Sequence, residues 1–210
     1  MIKVLIADDH TVVREGLKQI LADDAQLTVV GEAADGNEVL KALEGLQVDA
    51  LVLDITMPGR NGLDVLKEVK RKWPTLPVLV LSMHPEDQFA IRILRAGAAG
   101  YITKESAPEE LVGALRKVCG GGKYVSSQLA ERLAVFIEDE GTRPPHEKLS
   151  DREFEVLRML ALGKTVTEVA EELLLSVKTV STYRSRVLEK MKMTSNADLT
   201  RYALQNGLIT

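Results

Sequence analysis

The 210-residue chain holds one cysteine, three histidines and one tryptophan, and its aromatic content is 4%. A lone Cys119 excludes an intrachain disulfide framework and a Cys-built zinc site, and it reads as a small buried hydrophobe on a helix. His10, His84 and His146 lie too far apart in sequence to suggest a metal cluster. No stretch reaches the roughly 18 uninterrupted apolar residues of a membrane span. The N-terminus, Met1-Ile2-Lys3-Val4-Leu5-Ile6-Ala7-Asp8-Asp9, lacks a secretory-leader layout, because its apolar run is short and ends on two carboxylates. A cytoplasmic protein with no membrane partner is therefore expected. With only 7 Pro and 15 Gly, the chain is neither fibrous nor low in complexity, while 45% hydrophobic residues suffice for real cores. The length suits two modest domains and a linker.

The net charge of -4 is unevenly spread. Residues 1–120 carry 14 Lys/Arg against 18 Asp/Glu, and residues 149–210 carry 9 against 8. Within the latter, 150–176 hold three basic and six acidic side chains, whereas 177–192 hold Lys178, Arg184, Arg186, Lys190 and Lys192 against Glu189 alone. That is an electrostatic footprint for a polyanion, confined to one segment.

Five short apolar runs punctuate the first 120 residues: Val4-Leu5-Ile6, Thr28-Val29-Val30, Ala50-Leu51-Val52-Leu53, Val78-Leu79-Val80-Leu81 and Gly100-Tyr101-Ile102. Helical patterns such as Val12/Val13-Leu17-Ile20-Leu21 and Leu63-Leu66-Val69 separate them. Runs without alternation suit strands buried on both faces, and strands alternating with helices imply a parallel sheet with right-handed crossovers. The fold class is thus α/β, a five-stranded doubly wound parallel sheet over 1–120. Gly120-Gly121-Gly122 stops its last helix. A helical pattern, Leu129-Leu133-Val135-Phe136, then leads into Gly141-Thr142-Arg143-Pro144-Pro145, so the linker is placed at 121–148. From 149 to 210 only short helices are expected, over about 151–162, 166–174, 177–192 and 196–206. Their starts are capping boxes, Ser150-x-x-Glu153, Thr165-x-x-Glu168 and Ser195-x-x-Asp198, and Gly163 and Gly207 are natural stops.

In an open parallel sheet the ligand site lies beyond the carboxyl ends of the strands. Asp8-Asp9, Asp54, Ser82 and Lys104 all fall there. Converging carboxylates repel unless a cation sits among them, and oxygen donors suit Mg²⁺ or Mn²⁺. One carboxylate could then act as a nucleophile toward a phosphoryl group, with the Ser82 hydroxyl and Lys104 ammonium binding its oxygens.

At Asp8-Asp9, Asp54 followed by Met57-Pro58-Gly59, Ser82, Tyr101 and Lys104, the first 120 residues resemble the receiver domains of two-component response regulators. The resemblance implies that Asp54 is the phosphoacceptor. It further implies that Asp9, Asp54 and the Thr56 main-chain carbonyl ligate Mg²⁺, with Asp8 acting directly or through water. Lys104 and Ser82 would bind the phosphoryl group, and Tyr101 would turn inward as the switch. One departure stands out: receivers commonly have Pro after the Lys, and here Glu105 follows Lys104, which leaves the geometry of that peptide open.

Residues 149–210 resemble the LuxR-type helix-turn-helix of NarL/FixJ-class regulators, through Leu149-Ser150-Asp151-Arg152-Glu153-Phe154-Glu155-Val156-Leu157, Gly163, Val169-Ala170-Glu171-Glu172-Leu173, Ser176-Val177-Lys178-Thr179-Val180, Tyr202-Ala203 and Gly207-Leu208-Ile209. Val180, Tyr183, Val187 and Met191 recur at helical spacing and should face the core. Ser181, Thr182, Arg184, Ser185 and Arg186 are then left outside. By position in the motif, Ser181, Thr182 and Ser185 meet base edges; Lys178, Thr179, Arg184 and Arg186 contact phosphates or bases; Lys164 and Thr165 meet phosphates from the scaffold helix. Tyr183 stands where the family usually has His.

The resemblance implies a transcription regulator controlled by phosphorylation. A sensor histidine kinase and double-stranded DNA are its partners, and a homodimer forms when it is phosphorylated, with Leu199, Tyr202 and Leu208 as candidate dimer contacts. It would catalyse only its own phosphorylation and dephosphorylation. The rival readings are a receiver whose C-terminal module binds a protein, a metal-dependent phosphatase aided by His10 or His84, and a flavodoxin-like FMN protein. The last conflicts with Asp8-Asp9-His10, which would repel a phosphate without metal.

Overall fold

The structure, a computed structural model, describes residues 1–57, 62–83, 88–127, 129–131 and 144–209, with the side chains of Gln88, Phe89 and Asp151 excluded. Pro58, Gly59, His84 and most of the linker pattern from Leu133 to Arg143 lie outside the described residues. The chain divides into two compact units, Met1–Arg132 and Leu133–Thr210.

In the first unit, strands β1 (Ile2–Ala7), β2 (Leu27–Ala33), β3 (Ala50–Asp54), β4 (Val78–Ser82) and β5 (Gly100–Thr103) form one parallel sheet in the order β2-β1-β3-β4-β5. Each crossover carries a helix: α1 (Thr11–Ala22), α2 (Gly36–Gly45), α3 (Gly62–Lys72) and α4 (Gln88–Arg95), with α5 (Ala107–Cys119) closing the unit. The fully apolar runs become the strands covered on both sides, since every residue of β3 and β4 is buried. β2, at the sheet edge, is mostly half-buried. Helix α1 packs with α5, and α2 with α3. Under α1 and α5 the core gathers Val4, Ile6, Leu17, Leu21, Val52, Leu79, Leu81, Ile102, Leu111 and Leu115, each worth about 1.5–3 kcal/mol when fully buried. The strand order reverses between β1 and β3, so their carboxyl ends open a crevice there. Cys119 ends α5, half-buried, and burial pushes its thiol pKa up. The Lys104–Glu105 peptide is trans.

The described part of the second unit holds a 3₁₀ turn (Pro145–Lys148), followed by α6 (Asp151–Ala161), α7 (Val166–Glu172), α8 (Val177–Met191) and α9 (Asn196–Gln205). All three capping boxes form, with Ser150, Thr165 and Ser195 accepting from the N–H of Glu153, Glu168 and Asp198. Gly163 and Gly207 take positive φ, at 88° and 62°. Helix α8 instead ends on Lys192 in the left-handed region, at φ 55°, a stop without glycine. Phe154, Leu157, Leu160, Val169, Val180, Val187, Leu199, Ala203 and Leu208 make the core. Leu199 and Leu208 are 0% exposed, which removes both from the candidate dimer contacts. Tyr202 is held from within, its hydroxyl 2.7 Å from Nδ1 of the buried His146.

Candidate functional site

The crevice at the strand ends assembles the expected pocket residues. Asp8 follows β1, Asp54 ends β3 and Ser82 ends β4, and all three are 0% exposed. Lys104 follows β5, where its N–H donates to the Ser82 carbonyl at 2.8 Å. Its Nζ lies 2.6 Å from Asp8 Oδ2 and 2.7 Å from Asp54 Oδ2. Burial opposes the charge on Lys104, but the two carboxylates it bridges, Asp54 and Asp8, outweigh it and hold the pKa above the ordinary lysine value. The other oxygen, Asp54 Oδ1, accepts from the Thr56 N–H at 2.9 Å and the Thr56 hydroxyl at 2.7 Å. Tyr101 is fully buried within β5.

The loop after β1 is wound around Asp8. The His10 N–H donates to Asp8 Oδ1 at 2.8 Å, and His10 Nδ1 stands 2.9 Å from Asp9 Oδ1. The Asp8 main-chain carbonyl accepts from Arg14 Nη1 at 2.7 Å, while Arg14 Nε reaches Glu32 on β2 at 3.0 Å. The sequence reading missed Arg14. Its signal is a basic residue within the first turn and a half of the helix that follows the acidic pair, close enough to return to the strand end.

These residues fit a hard divalent cation. One ligand atom each from Asp8, Asp9, His10 and Asp54 lie within 4.8 Å of one another. Asp8 Oδ2 and Asp9 Oδ1 are buried without an aligned hydrogen-bond donor; the Lys104 contact to the former is an ion pair by distance. Lys104 supplies one positive charge to this group, and three converging carboxylates leave charge over for a divalent cation to meet.

In the second unit, the exposed side of α8 presents Lys178, Ser181, Thr182, Ser185 and Arg186. Val180, Val187 and Met191 face inward as the spacing requires, and Tyr183 is half-buried. The Thr182 and Ser185 hydroxyls donate to the carbonyls of Lys178 and Ser181, at 3.0 and 3.1 Å, so outward they offer acceptor lone pairs. The remaining candidates are engaged within the unit. Arg184 Nε donates to Asn196 Oδ1 at 2.7 Å, the Thr179 hydroxyl pairs with that of Ser176, Thr165 is spent on its capping box and Lys164 pairs with Glu172. Lys190, part of the basic footprint, reaches back 2.6 Å to the buried Glu153. The basic side chains of α8 thus split between anchors and an outward pair, Lys178 and Arg186, which sequence spacing alone did not separate.

The comparisons with known proteins agree for both units. The model for the response regulator receiver domain matches residues 4–116, and that for bacterial regulatory proteins of the luxR family matches 147–203. Response regulator GacA of Pseudomonas aeruginosa is 40% identical over 210 residues, spanning 100% of this chain and 98% of its own. Response regulator UvrY of Escherichia coli K12 is 38% identical over 209 residues, spanning 99% and 96%. Among solved structures, Salmonella enterica serovar Typhimurium RcsB bound to the rprA promoter with the phosphomimetic BeF₃⁻ is 30% identical, covering 96% of this chain and 97% of that one, with a TM-score of 0.68. A further RcsB–DNA complex gives 31% identity, 96% coverage of each chain and a TM-score of 0.61.

Proposed function

The chain belongs to the response regulators that join a receiver domain to a LuxR-type DNA-binding domain, the NarL/FixJ class, and from that premise we propose how its own residues carry phosphorylation-controlled transcription regulation. Asp54 is the phosphoacceptor. The observation that carries this is a buried carboxylate at the crevice whose two oxygens are held apart, one by Thr56 and one by Lys104. A carboxylate oxygen of Asp54 attacks the phosphorus of a phosphohistidine on a sensor kinase. The O–P bond forms as the P–N bond breaks, and the phosphohistidine ring, protonated on its other nitrogen, leaves as neutral imidazole.

Asp9, Asp54 and the Thr56 carbonyl, with Asp8 directly or through water, would hold Mg²⁺, whose chemistry there is to neutralise phosphoryl charge. Lys104 already spans Asp8 and Asp54, so it follows the new phosphoryl oxygens as Asp54 gives up its own charge. Ser82, one strand over from Asp54, donates its hydroxyl to the same group. Tyr101, packed inward behind it, is the element whose position phosphorylation biases. The chain catalyses only its own phosphorylation and dephosphorylation.

The output is binding to double-stranded DNA by α8, with Ser181, Thr182 and Ser185 at base edges and Lys178 and Arg186 at phosphates. Arg184 and Lys190 hold α8 in place, on Asn196 and Glu153. Phosphorylation favours a homodimer whose readers sit about one helical turn apart on DNA. The match to the luxR family over 147–203 supports DNA binding rather than a protein-binding C-terminal module. No helix among the described residues is long and apolar enough to cross a membrane; a regulator that binds DNA works in the cytoplasm. Acetyl phosphate treatment should tighten DNA binding of the full chain and leave an Asp54→Ala variant unchanged; equal tightening of both would overturn the assignment.

A further inference from the structure

Strand β5 lies at the edge of the sheet, and the start of its outer side is paired by a single residue of the chain that follows α5. Beyond α5 the chain reverses at Gly121, where φ is 85°, and runs back along β5. Tyr124 pairs in parallel with Gly100: its N–H donates to the Ala99 carbonyl at 3.0 Å, and its carbonyl accepts from the Tyr101 N–H at 3.1 Å. Its side chain is anchored as well. The Tyr124 hydroxyl donates to Glu110 at 3.1 Å, and Lys117 Nζ lies over the ring, 5.6 Å from its centroid. The preceding Lys123 donates to the Ala98 carbonyl at 2.6 Å. The fit depends on Gly100, because a Cβ there would meet Tyr124 O at 2.7 Å and Leu79 Cδ1 at 2.9 Å.

Resting on the reading that Tyr101 responds to phosphorylation at Asp54, we propose that Lys123-Tyr124 is a strap through which β5 moves the segment leading to the DNA-binding unit. Tyr124 is a positioning residue: it touches no phosphoryl group, and it acts through the main-chain N–H of Tyr101. A shift of Tyr101 that carries its backbone along must stretch or break the bond to Tyr124 O. The strap then has two states, seated and released, that one site biases and the next segment of chain reports. By reciprocity, DNA binding at the second unit biases the strap in turn.

The test uses the full chain and a labelled duplex selected from random sequence by the phosphorylated wild type. Gly100→Ala pushes the strap off from the β5 side, and Tyr124→Pro removes the donor to Ala99, so each checks the other should one fail to fold. Phosphoryl uptake is read by intact mass, seating by amide exchange at Tyr101, and coupling by the ratio of DNA affinities with and without phosphoryl. The wild type should gain about fivefold or more in affinity. The variants should take up phosphoryl normally, expose the Tyr101 amide to faster exchange, bind DNA without phosphoryl nearly as tightly as the phosphorylated wild type, and so lose most of the gain. Faster exchange with an undiminished gain overturns the strap. A wild type that takes up phosphoryl with no gain in affinity sinks both the strap and the switch reading, a different signature from failure of the strap alone.

Discussion

Lys104 gives a sharp test of the pocket's electrostatics. Its side chain is 9% exposed and bridges two fully buried carboxylates at 2.6 and 2.7 Å. Lys104→Met leaves Asp8 and Asp54 facing each other, with Asp9 beside them. At an effective dielectric near 20 each contact carries a gross attraction of about 6 kcal/mol. Burying the ammonium cancels much of this, and breaking a buried pair from one side costs about 3–5 kcal/mol net. For a unit of this size that corresponds to a melting temperature roughly 10–20 °C lower. Calorimetry of the full chain in EDTA should show the fall in the first unit's transition, with the second unit's transition as the internal reference. Added Mg²⁺ should then stabilise the variant more than the wild type, because the cation replaces the missing positive charge. A variant that melts with the wild type in EDTA, or an equal gain from Mg²⁺ in both, would refute this reasoning.

Two further predictions concern the second unit. Glu153 is buried, which alone would raise its pKa, but Lys190 and Ser150 hold it below the usual 4.5. A depressed carboxyl stabilises fully above the unfolded value and loses that contribution as pH falls through the folded one. Lys190→Met leaves Glu153 buried with burial dominant, so the variant should be about 1–3 kcal/mol less stable at pH 7. Denaturant unfolding should show the gap to wild type closing as pH drops below 4.5; a constant gap would contradict the pairing. On DNA, Lys178→Ala and Arg186→Ala should each lower the slope of log affinity against log salt by about 0.9. Arg184→Ala should lower that slope by less than either, since its Nε is turned toward Asn196; a full unit lost in a salt titration would count against the anchor role.

How much of this was legible beforehand follows from the range of the forces involved. The strands and the helix starts are local: Ala50-Leu51-Val52-Leu53 suits a strand covered on both sides, which it forms, and Ser150-x-x-Glu153 caps its own helix. The pocket was legible because each of its residues ends or follows a strand, so topology alone brings Asp8, Asp54, Ser82 and Lys104 together. Long-range polar pairing was not legible. Lys190 and Glu153 are 37 residues apart, and nothing near either predicts the bond that takes Lys190 out of the basic face. Leu199 and Leu208 looked available for a dimer because helical spacing does not say which apolar face a neighbour covers. Tyr124 fell in a stretch whose glycines read as linker, yet those same glycines allow the reversal that seats it on β5.

The central claim is that Asp54 receives the phosphoryl group. Its most direct test is intact mass after incubation with acetyl phosphate, with and without Mg²⁺, followed by peptide mapping of the modified residue. The account predicts a single added phosphoryl that needs Mg²⁺, maps to Asp54 and is absent from Asp54→Ala. An Asp54→Ala chain that gains the same mass, or a wild-type chain labelled elsewhere, would contradict it.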